Sequence, residues 1–140
     1  MSDFDIDTKG LDDFKNELND LVDHFPKEAK KLMRKSGSKA RTIIARYARK
    51  HVKKKTGNYH KSIRRGKVWK DQTTGSYKVR VYSAAPHAHL IEYGHRIVDK
   101  KGQEHGFKEG SHVFEKSTNE VDSKWDEILE KEFDKIFDDL

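Results

Sequence analysis

The period of the apolar positions changes several times along the chain, and those changes divide it into elements. Phe4 and Ile6 alternate with Asp5 and Asp7, the two-residue period of a short edge strand that Gly10 breaks. From there Leu11, Phe14, Leu18, Leu21, Val22 and Phe25 recur at helical spacing on one face. Asp12 and Asp13 fall in the first turn, where carboxylates meet the positive pole of the helix. Pro26 disfavours helical geometry in the residue before it and suits the first position of the next helix. In that second helix Ala29, Leu32, Met33, Ala40, Ile43, Ile44, Tyr47 and Ala48 keep the spacing to about Lys55. A helix of about 29 residues is about 43 Å long, with Ser36-Gly37-Ser38 as its expected kink or thin spot.

Thr56-Gly57-Asn58 turns the chain into a short helical segment that ends at Ile63. Two strands follow, at 67–70 and 77–82, joined by a loose hairpin through Gly75. Tyr77, Val79 and Val81 share one face, and Lys78, Arg80 and Tyr82 the other. Pro86 opens a small helix over 87–93, with Leu90 and Ile91 inward and Gly94 as its left-handed cap. Residues 95–111, with Gly102, Gly106 and Gly110, read as a flexible loop in which only Ile97-Val98 suggests a strand. Val113 or Phe114 starts an amphipathic helix through Ser117, Val121, Trp125, Ile128, Leu129, Phe133, Ile136 and Phe137 to Leu140, with Asp138 and Asp139 fraying its end. The pattern predicts one α+β domain over residues 1–140, with long N-terminal and C-terminal helices packed on a small antiparallel sheet.

Composition makes the expected core lean, because hydrophobic residues are 33% and charged residues 39%; seven Phe, five Tyr and two Trp offset this with large apolar area. Cysteine is absent, which excludes disulfides and thiolate metal sites. No stretch approaches the ~20 apolar residues of a membrane span, and the acidic start Met1-Ser2-Asp3-Phe4-Asp5 does not read as a signal peptide. The expectation is a soluble, non-secreted chain. The net charge of +6 is unevenly distributed: residues 1–25 carry −6, residues 26–70 carry +17, and residues 101–140 carry −6. Either the acidic ends lie against the basic middle, or the basic middle presents a face to phosphate.

Specific chemistry is sparse. His87, His89, Glu92 and His95 invite a metal reading, but His87 and His89 stand about 200° apart on a helix, and ligand pairs on a helix want i,i+4 spacing. No metal, cofactor or catalytic residue is therefore assigned, and no nucleophile motif or phosphate loop is present. Glu92 is the one acid between Asp71 and Asp99 and is expected to pair with an Arg or Lys of the strands or the long helix. A small nuclease or toxin using histidine and Glu92 is a third reading. The basic stretch 27–70 suits phosphate contact through Arg41, Arg46, Arg49, Lys53, Arg64 and Arg65, with Tyr47, Tyr59 and Trp69 for stacking, and equally suits a solvated helix.

The segment Thr56-Gly57-Asn58-Tyr59-His60-Lys61-Ser62-Ile63, a hairpin, and then Ala84-Ala85-Pro86-His87-Ala88-His89-Leu90-Ile91-Glu92-Tyr93-Gly94 resemble a family of bacteriophage minor structural proteins. These are tail-completion or head–tail joining components of long-tailed phages with non-contractile tails. The resemblance rests on Thr56, Gly57, Ser62, Ile63, Pro86, Ala88, Glu92, Tyr93 and Gly94. The sequence departs from the family pattern at Tyr59, His87 and His95, where Leu, Tyr and Thr are usual, and lacks the proline before Phe114. The resemblance implies a structural virion protein of the neck, made in the host cytoplasm and not an enzyme. Its partners would be other copies in a hexamer-type ring, the head connector, and the tail tube or tail terminator, close to DNA and without a membrane. A nucleic-acid-binding module using 27–70 is the alternative. Assembly contacts are expected in the 95–111 loop, at His95, Arg96, Lys100, Lys101 and His105.

Overall fold

The computed structural model describes residues 3–7, 15–53 and 57–138. Its elements in chain order are β1 (Asp3–Asp7), α1 (Lys15–His24), α2 (Pro26–His51), α3 (Asn58–Ser62), β2 (Ile63–Arg65), β3 (Trp69–Lys70), β4 (Tyr77–Ser83), α4 (Ala88–Tyr93), β5 (Gly94–Val98), β6 (Glu104–Glu109) and α5 (Val113–Asp138). The α+β expectation is met. The predicted positions Leu11, Asp12, Asp13, Phe14, Lys55, Thr56, Asp139 and Leu140 lie outside the described residues.

Strand β4 is the centre of the main sheet. It pairs antiparallel with β1 along one edge and with β2 and β3 in tandem along the other. Tyr77, Val79 and Val81 are buried, while Lys78, Arg80 and Tyr82 are half-buried, so the alternation read in the sequence is the real division of faces. The buried face meets α2, and α2 in turn packs along α5. Leu32, Met33, Ala40, Ile44 and Ala48 of α2 meet Val121, Leu129 and Ile136 of α5 in one core cluster.

Three local expectations fail. First, α2 is one continuous helix through Ser36-Gly37-Ser38 and ends at His51. Gly37 is a thin spot, a point of close approach to the sheet, since a Cβ there would stand 2.9 Å from Val79 Cγ1. Second, Ile63 begins a strand, β2, whose conformation is set by pairing with 81–83 rather than by local periodicity. Third, residues 94–109 form a two-stranded hairpin, β5–β6, where a flexible loop was expected. The helix α4 also turns a different face inward: Ala88 and Glu92 are buried, and Leu90 and Ile91 only half so.

Candidate functional site

Both motif segments converge beside the start of α5. Gly57 takes φ +84°, the left-handed conformation that favours glycine, and turns the chain from α2 into α3. Ser62 then joins the two segments. Its hydroxyl donates to the Tyr59 carbonyl at 2.5 Å and lies 2.6 Å from Ser83 Oγ, while the Ala84 N–H donates to the Ser62 carbonyl at 3.0 Å. His60 Nε2 sits 3.0 Å from the Val52 carbonyl, near the end of α2. Pro86 lies in the exposed turn that leads into α4.

Glu92 is the buried centre of the junction, 2% exposed. Its carboxylate accepts the Phe114 N–H at 3.0 Å and the Glu115 N–H at 3.1 Å. The expected cation partner is absent: among the described residues no Lys or Arg makes an ion pair with Glu92. Main-chain donors at the positive pole of α5 take that place, satisfying N–H groups that a helix start leaves unpaired. The Tyr59 phenol is held well above its ordinary range, first by burial and then by the charge of Glu92.

The hairpin springs from this junction on backbone contacts. Ser111 N–H donates to the Ile91 carbonyl at 2.7 Å, and His112 N–H to the Glu92 carbonyl at 3.2 Å. Gly94 has φ +88°, and a Cβ there would strike the Lys108 carbonyl and stand 2.8 Å from Phe107 Cζ. His112 takes φ +49° to enter α5, with Nδ1 2.7 Å from a Glu115 carboxylate oxygen but without hydrogen-bond geometry.

Glu92, His112 and Glu115 bring one potential ligand atom each within 4.8 Å of one another. This is not the His87, His89, Glu92 and His95 set considered from sequence. It also suits a cation poorly, because both Glu92 oxygens are committed to N–H donors and the positive helix pole lies alongside. The cluster reads as the wiring of a helix cap.

Beyond its base the hairpin is an exposed arm. Every residue of β6 is exposed, and Tyr93, Ile97, Val98 and Phe107 present large apolar surface, with Phe107 58% accessible. Arg96 pairs with Glu104 at 2.8 Å, and His105 lies 2.8 Å from Asp99. Asp99 also accepts the N–H groups of Lys101 and Gln103, and these contacts, His105 foremost, hold its carboxyl below the usual carboxylate range. His95 Nδ1 contacts the Arg96 carbonyl, and Lys100 and Lys101 stand at the tip.

The six candidate phosphate-contacting cations divide into two groups. Arg41 donates to the Ile63 carbonyl at 2.9 Å, and Arg65 to Ser38 Oγ at 3.0 Å and to the Gly66 carbonyl, so both tie the sheet to α2. Arg46, Arg49, Lys53 and Arg64 are exposed. Helix α2 carries ten basic residues and one acid, and α5 nine acids and four lysines. The two pack through apolar faces, and among the described residues no ion pair joins them. Three of the α5 lysines pair within their own helix, Lys124 with Glu120, Lys131 with Glu127 and Lys135 with Glu132. The acidic helices α1 and α5 do lie against the basic α2, as the intramolecular reading of the charge pattern expects, but among the described residues no direct ion pair joins α5 to α2.

Sequence reasoning missed a groove of about 330 Å³ between α1 and the C-terminal part of α5, lined by Glu17, Asp20, Leu21, Phe25, Phe133 and Phe137. Phe25 and Phe137 are each 48% exposed there. The signal available was the pair of phenylalanines at the ends of two apolar stripes.

A protein-family model described as "Bacteriophage HK97-gp10, putative tail-component" matches residues 12–94, so the matched segment stops where the arm begins. No curated protein and no solved structure matches.

Proposed function

The chain belongs to the HK97-gp10-like family of phage tail components, and from that premise we propose that it is a non-catalytic subunit that completes the tail and joins it to the head at the neck. The observation that carries this reading is the pair of oppositely charged helices, basic α2 and acidic α5, between which no ion pair forms among the described residues. Each can be matched by the opposite face of the next copy in a closed ring, a heterologous contact that closes by rotation. Head connector on one side and tail tube or tail terminator on the other would complete the set of partners, in a hexamer-type ring. The test is a phage carrying a stop codon early in this gene. DNA-filled heads and finished tails should accumulate unjoined, and purified protein should restore joining. Normal yields of joined, infectious particles would overturn the proposal.

A second reading has its own observation. The exposed cations of α2, among them Lys27, Lys31, Arg34, Lys39, Arg46 and Arg49, run along a helix of about 39 Å with no acid paired to them among the described residues. Such a face suits a phosphate backbone beside the route of the genome. Binding to duplex DNA should then fall steeply with log salt, and R46E/R49E should flatten that slope. No binding at low salt would remove this reading.

A further inference from the structure

We infer that the β5–β6 arm of one copy seats in the α1/α5 groove of a second copy, head to tail; the inference rests on the chain being an assembly subunit.

The two surfaces fit in chemistry. The arm offers Ile97, Val98 and Phe107 to solvent. Its Arg96, Asp99 and Glu104 are already engaged in ion pairs within the arm, which leaves Lys100, Lys101 and Lys108 with no acid partner among the described residues. The groove exposes Phe25 and Phe137 over a floor of buried Leu21 and Phe133, and Glu17 and Asp20 line it as well. An apolar wedge edged with lysines thus faces an apolar slot edged with acids. Burial of such a patch drives association, and the opposed charges set its orientation.

Their positions also dictate that the contact is between copies. The base of the arm is fixed to the first turn of α5 through Glu92 and Phe114. The groove takes Phe133 and Phe137 from the last turns of the same helix. From residue 114 to residue 133 is about 29 Å of rigid helix, whereas strands of five and six residues reach about 17–20 Å. The arm cannot fold back into its own groove. A unit with a plug at one end and a socket at the other joins head to tail, and such joining closes into a ring or runs on as a filament.

The absence of native cysteine provides the test. Phe107→Cys and Phe137→Cys are made separately in the full chain, mixed, and oxidised, both as purified protein over a concentration series and in assembled particles. The mixed 107–137 disulfide should exceed either homodimer by about tenfold or more, as expected where one site holds the other at high effective concentration. Phe107→Asp, at an exposed position, should leave the circular dichroism spectrum and Tm unchanged while abolishing self-association in sedimentation. A dominant F107C homodimer would mean that arms pair with arms, and would overturn the inference. So would a mixed product no greater than background in both preparations. Failure here and failure of the joining role are separable. A strong mixed cross-link in a protein not needed for joining refutes only the role. A protein needed for joining whose particles give no such cross-link refutes only the arm-and-groove contact.

Discussion

Glu92 gives the sharpest test of how the junction is held. Glu92→Ala removes a buried carboxylate that accepts two main-chain N–H groups at the head of α5. Hydrogen bonds to a charged acceptor are typically worth about 1.5–3 kcal/mol each. The two losses are unequal. Phe114 is buried, so its N–H is left without water, while Glu115 is exposed and its N–H can be solvated. Returning the carboxylate's own desolvation offsets part of the loss. The net cost is about 2–3 kcal/mol, or a fall in Tm of about 6–12 °C for a chain of this length. Glu92→Gln keeps one acceptor oxygen but turns a donor toward the other N–H, so its cost should be smaller, about 1–2 kcal/mol. Urea unfolding followed by circular dichroism would measure both. Because the group is buried, the gap between parent and E92A should persist in 1 M salt, where about 3 Å of screening length removes surface pairs. Three results would refute the reasoning: E92A within about 0.5 kcal/mol of the parent, E92Q worse than E92A, or a gap that closes with salt.

Further expectations concern the packing and the arm. Gly37→Ala improves helix propensity by about 1 kcal/mol, yet its Cβ would meet fully buried Val79 at 2.9 Å; overpacking costs about 1–3 kcal/mol, so the urea midpoint should fall rather than rise. Gly94→Ala combines a positive φ with a collision against the Lys108 carbonyl; it should free the arm, read as rapid hydrogen exchange at 95–109 with α2 still protected. Asp99 titrates below its ordinary value because His105 and backbone N–H groups favour its charged form. A depressed folded-state pKa means that the contribution is present above the unfolded pKa and is lost as pH falls through the lower folded value. In an NMR titration the Asp99 midpoint should lie below the usual carboxylate range, and His105→Ala should raise it.

What the sequence disclosed depended on whether the cause was local. The helical stripes of α2 and α5 were legible because Leu32, Ile44, Val121 and Leu129 repeat at the period that buries them. The two faces of β4 were legible for the same reason. Gly37 could be read as a kink or thin spot, but which of the two, and against what, lies in Val79, 42 positions away in the chain. The strand identity of Ile63–Arg65 comes from pairing with β4, which three residues cannot announce. The partners of Glu92 are backbone N–H groups, which leave no mark on residue type, so a cation among the surrounding basic residues was the natural and wrong expectation. In the arm, Gly102 and Gly106 with positive φ and the register shift between Arg96 and Val98 interrupt the alternation that would have exposed two strands. The sites named there, from His95 to His105, do fall on one projecting element.

The way the arm is rooted separates two quantities that usually move together. Its base is fastened by main-chain groups of Ile91, Glu92, Ser111 and His112 and by the close approach of the Lys108 carbonyl and the Gly110 nitrogen to Gly94, all of them backbone contacts that do not depend on the side chains farther out. The outer residues of the arm can therefore be exchanged with little change in folding free energy, and what changes is which surface the arm fits. Such a protein can acquire a new mating partner by drift at its tip without passing through an unstable ancestor.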